Sequence, residues 1–371
     1  MRTTRVWIVG LCLALAGSAP AYAALGDGDS DRRELVPWSD ALADVAVHRG
    51  SRKKTLQAVS DDLSAGQVAA MGQWVAFAER YELHVVLPEK ADALIFGDAD
   101  LSDLKDVADT LDESWALFDA LQPVEPRDDD DARTPVFFLF DREAHASPTW
   151  PALLELMATR GQLVSQAVDA LRVEPTSLTQ RNERLVLQAT YDMAGDASKG
   201  DDEFRLENEV AHKLVWMLLL ERFGRLPPNV EWGLGYVAEQ RLFRSIFLFD
   251  TTGFVAVEDH HDWPDRTRDM FVSERTGQGV DLPKRLLDAA AAGGPLRPQM
   301  QSWGLLDYLL HKDAERLVAL LTELSELHGA GDPYGIQPRY AGDPEVAASL
   351  IGERLEGISV KDIEKHLKRV K

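Results

Sequence analysis

Residues 203–223 constrain this chain more than any other stretch. Val210, Leu214, Val215, Trp216, Met217, Leu218, Leu219, Leu220 and Phe223 leave almost no polar face on the helix that their spacing predicts. A helix that is hydrophobic nearly all round is a central, buried one. Gly224 supplies its stop, and Pro227-Pro228 prevents it from resuming. The first turns nevertheless carry Asn208-Glu209-Val210-Ala211-His212, so polar groups enter the interior with the helix. A histidine in that position is expected to be hydrogen-bonded to a neighbour, with Glu209 or Tyr236 as candidates.

The rest of the chain arranges itself around that helix. A helical pattern runs from Trp38 to about Tyr81, with Val68, Met71, Trp74, Val75 and Phe77 at three- and four-residue steps. Strand-like runs follow at His84–Leu87, Ala93–Phe96, Pro135–Phe140 and Leu185–Ala189, and a helix with an apolar face spans 101–122. Helices are predicted at 230–243, 282–291, 301–311, 313–327, 344–353 and 360–369, with a short hairpin from Ile246–Phe249 and Phe254–Val257. A mixed front half with a small sheet, followed by a mostly helical back half, reads as α+β. The acidic run Arg127–Asp131 reads as a solvated turn, because it lacks the interleaved glycine and distal glutamate of a calcium loop.

The N-terminus has the order of a secretory signal. Arg2 and Arg5 precede the apolar stretch Val6 to Ala16, and Ala21-Tyr22-Ala23 is a small-x-small cleavage site. The expected location is therefore the periplasm or the outside of the cell. The one cysteine, Cys12, lies inside this segment, and Leu11 before it argues against lipidation. A mature chain without thiols has neither disulfides nor a cysteine nucleophile. With 40 basic against 62 acidic side chains, a formal charge of −22, nucleic acid and anionic membrane are poor partners. No later segment has about 18 uninterrupted apolar residues, so no membrane anchor is expected. No Gly-rich phosphate loop, Gly-x-Ser-x-Gly elbow or Ser-x-x-Lys pair supports nucleotide use or serine hydrolysis.

Asn208-Glu209-x-x-His212 is one substitution from His-Glu-x-x-His, in which two histidines one turn apart bind zinc and the glutamate acts as general base. Around it, Ala93–Phe96, helix 101–122, Leu139-Phe140-Asp141-Arg142, Leu226 to Val237 and Gln301 to Leu310 follow one another in an order that resembles the gluzincin-type, peptidase MA-like zinc metallopeptidases of exported bacterial proteins. The resemblance covers roughly residues 85–370 and implies a zincin-like core. It implies a first zinc ligand at position 208, a general base at Glu209 and a second ligand at His212. The third ligand, a glutamate on the next helix, would fall on Trp232 or Gly235, depending on the alignment.

Asn208 is a poor zinc donor, and neither Trp232 nor Gly235 is a donor at all. Catalytic zinc takes three protein ligands and a water. The resemblance thus implies a degenerate site: no metal, no cofactor, Glu209 as a vestigial base, and Asn208, His212, Trp232 and Tyr236 as a vestigial cleft for an unidentified peptide or protein. Two alternatives stay open. One is an active zinc peptidase with atypical ligands drawn from Glu209, His212, Glu231 and the loop Glu258-Asp259-His260-His261-Asp262. The other is a helical interaction protein unrelated to peptidases. Glu231 in a first helical turn, with Asn229 as N-cap, is favourable for dipole reasons alone. Glu239 reads as a solvated face residue, and the His260/His261 loop as an ordinary surface loop.

The expected organisation is a signal peptide at 1–23, a disordered leader at 24–35 and a helical segment at 36–82. A zincin-like α+β core at 83–250 and a helical C-terminal subdomain at 251–371 follow. Mass spectrometry of the secreted protein is expected to find Ala24 at its start; residues 1–20 still attached would contradict export.

Overall fold

The computed structural model describes residues 43–50, 52–121, 134–140, 149–159, 178–182, 185–191, 206–246, 249–250, 253–254, 262–276, 280–287, 296–328 and 340–370. Pro135–Phe140 (β5) is the spine of a mixed seven-stranded sheet. The other strands are Ala46–Arg49 (β1), Arg52–Thr55 (β2), His84–Leu87 (β3), Leu94–Gly97 (β4), Leu178–Asn182 (β6) and Leu185–Tyr191 (β7), in the order β2-β1-β3-β4-β5-β7-β6. β1/β3, β4/β5 and β5/β7 pair parallel, while β1/β2, β3/β4 and β6/β7 pair antiparallel.

β5 is apolar without alternation because both its faces are covered. Val136, Phe138 and Phe140 pack against Trp74 of helix Ala65–Arg80 (α2) and Trp150 and Leu153 of helix Thr149–Thr159 (α4). The single helical turn Leu56–Val59 (α1) joins β2 to this layer. Phe137 and Leu139 face the opposite way, onto Leu104, Val107 and Leu111 of helix Leu101–Leu117 (α3) and onto Val210, Leu214 and Met217 of helix Leu206–Phe223 (α5).

α5 has a second buried face. Ala211, Val215, Leu219 and Phe223 join another core, built with helix Pro228–Phe243 (α6) and the helices of the back half. An all-round apolar helix is thus the wall between a sheet layer and a helical layer. After α6 and the short hairpin Phe249–Asp250 (β8) and Gly253–Phe254 (β9), the described residues of the back half form six helices: Trp263–Thr276 (α7), Leu282–Leu287 (α8), Leu296–Lys312 (α9), Ala314–His328 (α10), Pro344–Arg354 (α11) and Val360–Leu367 (α12). Trp263, Phe271, Trp303, Leu306, Leu320, Ile351 and Ile363 fill the same core as α5 and α6.

α6 lies inside this layer, and two glycines let it do so. A Cβ at Gly233 would stand 2.7 Å from Leu306 Cδ1 of α9, and one at Gly235 would stand 2.6 Å from the imidazole of His212 on α5. Glycine costs an exposed helix interior about 1 kcal/mol relative to alanine, so its use here follows from helix approach.

The α+β class, the strands at 84–87 and 135–140 and the back-half helices agree with the sequence reading. The segment 36–82 does not remain helical: residues 46–55 form a hairpin that joins the main sheet through β3. Among the described residues of that hairpin only Val47 is buried, so its sequence carried little apolar alternation. α7 was also unforeseen. Its charged sequence buries only Trp263, Pro264, Thr267 and Phe271. Among the described residues no helix is long and apolar enough to cross a membrane. The signal segment and leader, the acidic run Arg127–Asp131, and Glu258 to His261 lie outside the described residues.

Trp303 is fully buried where α7 and α9 meet the core shared with α5 and α6. Trp303→Ala is expected to cost about 3–5 kcal/mol. Urea denaturation followed by circular dichroism should show one shifted transition, and two separated transitions would contradict a shared core.

Candidate functional site

The polar residues at the start of α5 meet α6 across a dry interface. Asn208 is fully buried and Glu209 nearly so, while the His212 side chain keeps 13% of its exposure. The partner that organises them is Glu239, four residues beyond Gly235 and itself buried. Its Oε1 lies 2.8 Å from His212 Nδ1, and its Oε2 accepts a 3.1 Å hydrogen bond from Asn208 Nδ2. Asn208 Nδ2 also donates to the Ser245 carbonyl at 2.9 Å. That carbonyl is presented because α6 ends at Arg244 in the left-handed conformation, φ 57°.

Burial holds the His212 pKa down to about 3, the Lys213 charge adds to the effect, and Glu209 only partly opposes it. A neutral imidazole donates Nδ1–H to the Glu239 carboxylate, which leaves Nε2 as the lone-pair nitrogen. A carboxylate behind one ring nitrogen is how metal-binding histidines are oriented. Here, however, the ring tip abuts α6: Cε1, Nε2 and Cδ2 would all lie within 2.7 Å of a Cβ at Gly235. A zinc ion held between Nε2 and a carboxylate at 235 needs roughly 2 Å on each side, so the ligand's Cβ must stand about 5 Å or more from the ring. The helices are too close for that, and the residues at this point do not fit a zinc ion supported from position 235.

The remaining candidates fall as follows. Glu209 pairs with Lys213 one turn on, at 3.8 Å. Trp232 is half-buried and meets the His212 ring edge-on at 6.0 Å, and Tyr236, fully buried, meets it at 5.0 Å. The rings continue inward from Tyr236 to Trp263 and from Trp263 to Trp303, at 5.2 and 5.8 Å. The expected vestigial-cleft residues Asn208, His212, Trp232 and Tyr236 are therefore brought together, with solvent reaching chiefly His212 and Trp232.

Two expectations are corrected. Glu239 is not a solvated residue; it shares a face with Trp232 and Gly235 at seven- and four-residue steps, and that periodicity was the available signal. It also replaces Glu209 and Tyr236 as the hydrogen-bond partner of His212. Glu231 does stand in the first turn of its helix, but not behind the expected cap. α6 starts with Pro227 as N-cap and Pro228 at its first position, so Asn229 is not the cap. The Glu231 carboxylate accepts from Leu226 N at 2.8 Å, Trp216 Nε1 at 3.1 Å and Arg225 at 3.2 Å. Burial raises its pKa against the lowering effect of Arg225. With three donors on its two oxygens, Glu231 serves the α5–α6 turn, and the partner of His212 is Glu239 instead.

Sequence reasoning also missed a second polar cluster. Asp307 and His311 of α9 and His366 of α12 bring one ligand-type atom each within 4.8 Å of one another, with Arg241 of α6 against all three. No family model matches the chain, and no curated protein matches it significantly.

The folded chain holds His212 neutral down to about pH 3, whereas an unfolded histidine protonates near 6.5. Between those values the unfolded state binds the extra proton, so this stabilisation is complete above about pH 6.5 and declines as pH falls towards 3. Nitrogen-15 spectra should show a neutral, Nδ1-protonated His212 with no titration between about pH 5 and 8. An inflection near 6.5 would show that the ring is not held in this interface.

Proposed function

We propose that the chain is an exported pseudo-metallopeptidase: a degenerate relative of the gluzincin-type, peptidase MA-like enzymes, with a binding or scaffolding role in place of catalysis. The observation that carries this reading is the Glu239 clamp. It joins Asn208 and His212, the two positions where the resemblance puts zinc ligands, by direct hydrogen bonds. Hydrogen bonds across the α5–α6 interface do there what metal bonds would do in an enzyme.

Glu209 alone does not rescue hydrolysis. A general base at neutral pH needs a water whose pKa a metal has brought down to about 7. Here the base is buried and paired with Lys213. What remains usable is the partly exposed edge formed by His212 and Trp232, backed by aromatic packing through Tyr236. A flat aromatic surface beside a neutral imidazole suits an extended peptide or a protein loop, through apolar contact and single hydrogen bonds. The acidic chain disfavours acidic ligands at long range.

The test is metal dependence at His212. Purified protein should carry no zinc whose retention depends on His212, and no chelator-sensitive proteolysis. Zinc and proteolysis lost together in His212→Ala would refute the reading. The Glu239 geometry adds a rescue: Asn208→His places two imidazoles against one carboxylate. It should create zinc binding that Glu239→Gln abolishes, whereas a carboxylate at Trp232 should not be required. Each ligand contributes several kcal/mol to an apparent binding free energy of about 10–16 kcal/mol in good sites, so the gain is readable by metal analysis.

A further inference from the structure

At the meeting of α6, α9 and α12 a guanidinium sits among a carboxylate and two imidazoles. Asp307 is fully buried and His366 nearly so, while the His311 and Arg241 side chains are 30% and 23% exposed. Arg241 Nη2 lies 2.6 Å from Asp307 Oδ2, 3.2 Å from His366 Nε2 and 3.5 Å from His311 Nδ1. One cationic nitrogen thus touches a carboxylate and two imidazoles, which converge from two helices. We propose that Asp307, His311 and His366 form a binding site for a divalent transition metal, zinc by preference, whose seat Arg241 fills in the metal-free protein.

The donor set selects the ion. Two imidazoles and one carboxylate suit zinc, with one position left for water on the exposed His311 side, whereas magnesium and calcium require oxygen ligands. Tetrahedral zinc at roughly 2 Å from each ligand puts the ligand atoms about 3.3 Å apart. The present separations, 2.6 Å between Asp307 Oδ2 and His366 Nε2 and all within 4.8 Å, bracket that value, so side-chain shifts suffice. The exchange puts two positive charges where the guanidinium supplied one. Asp307 now has Arg241 as a bidentate partner at 2.7 and 2.6 Å, and a metal entering as the guanidinium swings to water leaves the buried carboxylate compensated.

His311 presents Nδ1 to this seat, 3.5 Å from Arg241 Nη2, and the same nitrogen lies 2.9 Å from the Asp307 backbone carbonyl, a contact the ion would replace. A bound ion would tie α12, the last helix, to α9.

Titration calorimetry of the full chain with zinc chloride, in a non-chelating buffer, tests the site. One zinc per chain is expected, with no heat from magnesium. His311→Ala and His366→Ala should each weaken binding by about 100-fold or more, beyond the roughly 10–100-fold of an outer partner. His311 is partly exposed, so that variant keeps its fold if His366→Ala does not. Arg241→Gln removes the competitor and should tighten binding. His212→Ala should leave it unchanged, which separates this site from the α5–α6 clamp. Absence of zinc uptake by the wild type, or uptake indifferent to both His311 and His366, would overturn the proposal. So would uptake by Arg241→Gln alone, which would show a seat closed for good.

Discussion

Burial of α5 on both sides sets the terms for everything else in this molecule. One face lies under the sheet and the other against α6, so Asn208 and Glu209 on its first turns are shut off from bulk water and His212 nearly so. An unmet buried donor or acceptor costs about 1–3 kcal/mol, and an unpaired charge more. The polar features of α6 answer that demand. Glu239 takes up Asn208 and His212, Glu231 closes the connecting turn, and the left-handed Arg244 turns a backbone carbonyl towards Asn208. The candidate site is therefore also a structural joint, and any function it has must work through bonds that already hold two helices together.

α6 is the common member of both polar clusters because its faces address different neighbours. Residues 235 and 239 look to α5, while 233 and 241 look to α9, the latter with α12 beside it. One rigid helix thus spans the distance between the His212 clamp and the Asp307 cluster. A displacement of Arg241 would be felt on the same element that carries Glu239, two residues earlier.

How much of this was legible beforehand depended on periodicity. β3, β5 and α5 were readable because their apolar residues are continuous, and the back-half helices because theirs recur every three or four residues. The β1–β2 hairpin and α7 were not, since each places few apolar side chains in the core. In the site, Asn208, Glu209, His212, Trp232 and Tyr236 were visible from their likeness to a motif. Glu239 was hidden by a general expectation that glutamate faces water. Arg241, Asp307, His311 and His366 were hidden by distance, since helix spacing joins Asp307 to His311 but nothing local joins them to His366.

The outermost strand of the sheet has a consequence for how copies of this chain meet. β2 reads Arg-Lys-Lys-Thr and, among the described residues, pairs with β1 alone, so its other side offers open backbone donors and acceptors. Such an edge is a template for another strand, and natural sheets blunt it with lysine and arginine. If a second copy added its own β2 antiparallel to this one, consecutive cations would face cations across the new ladder, where like charges destabilise pairing. On a chain with an excess of 22 negative charges, this small cationic stretch is a guard against edge-to-edge aggregation, written into four residues.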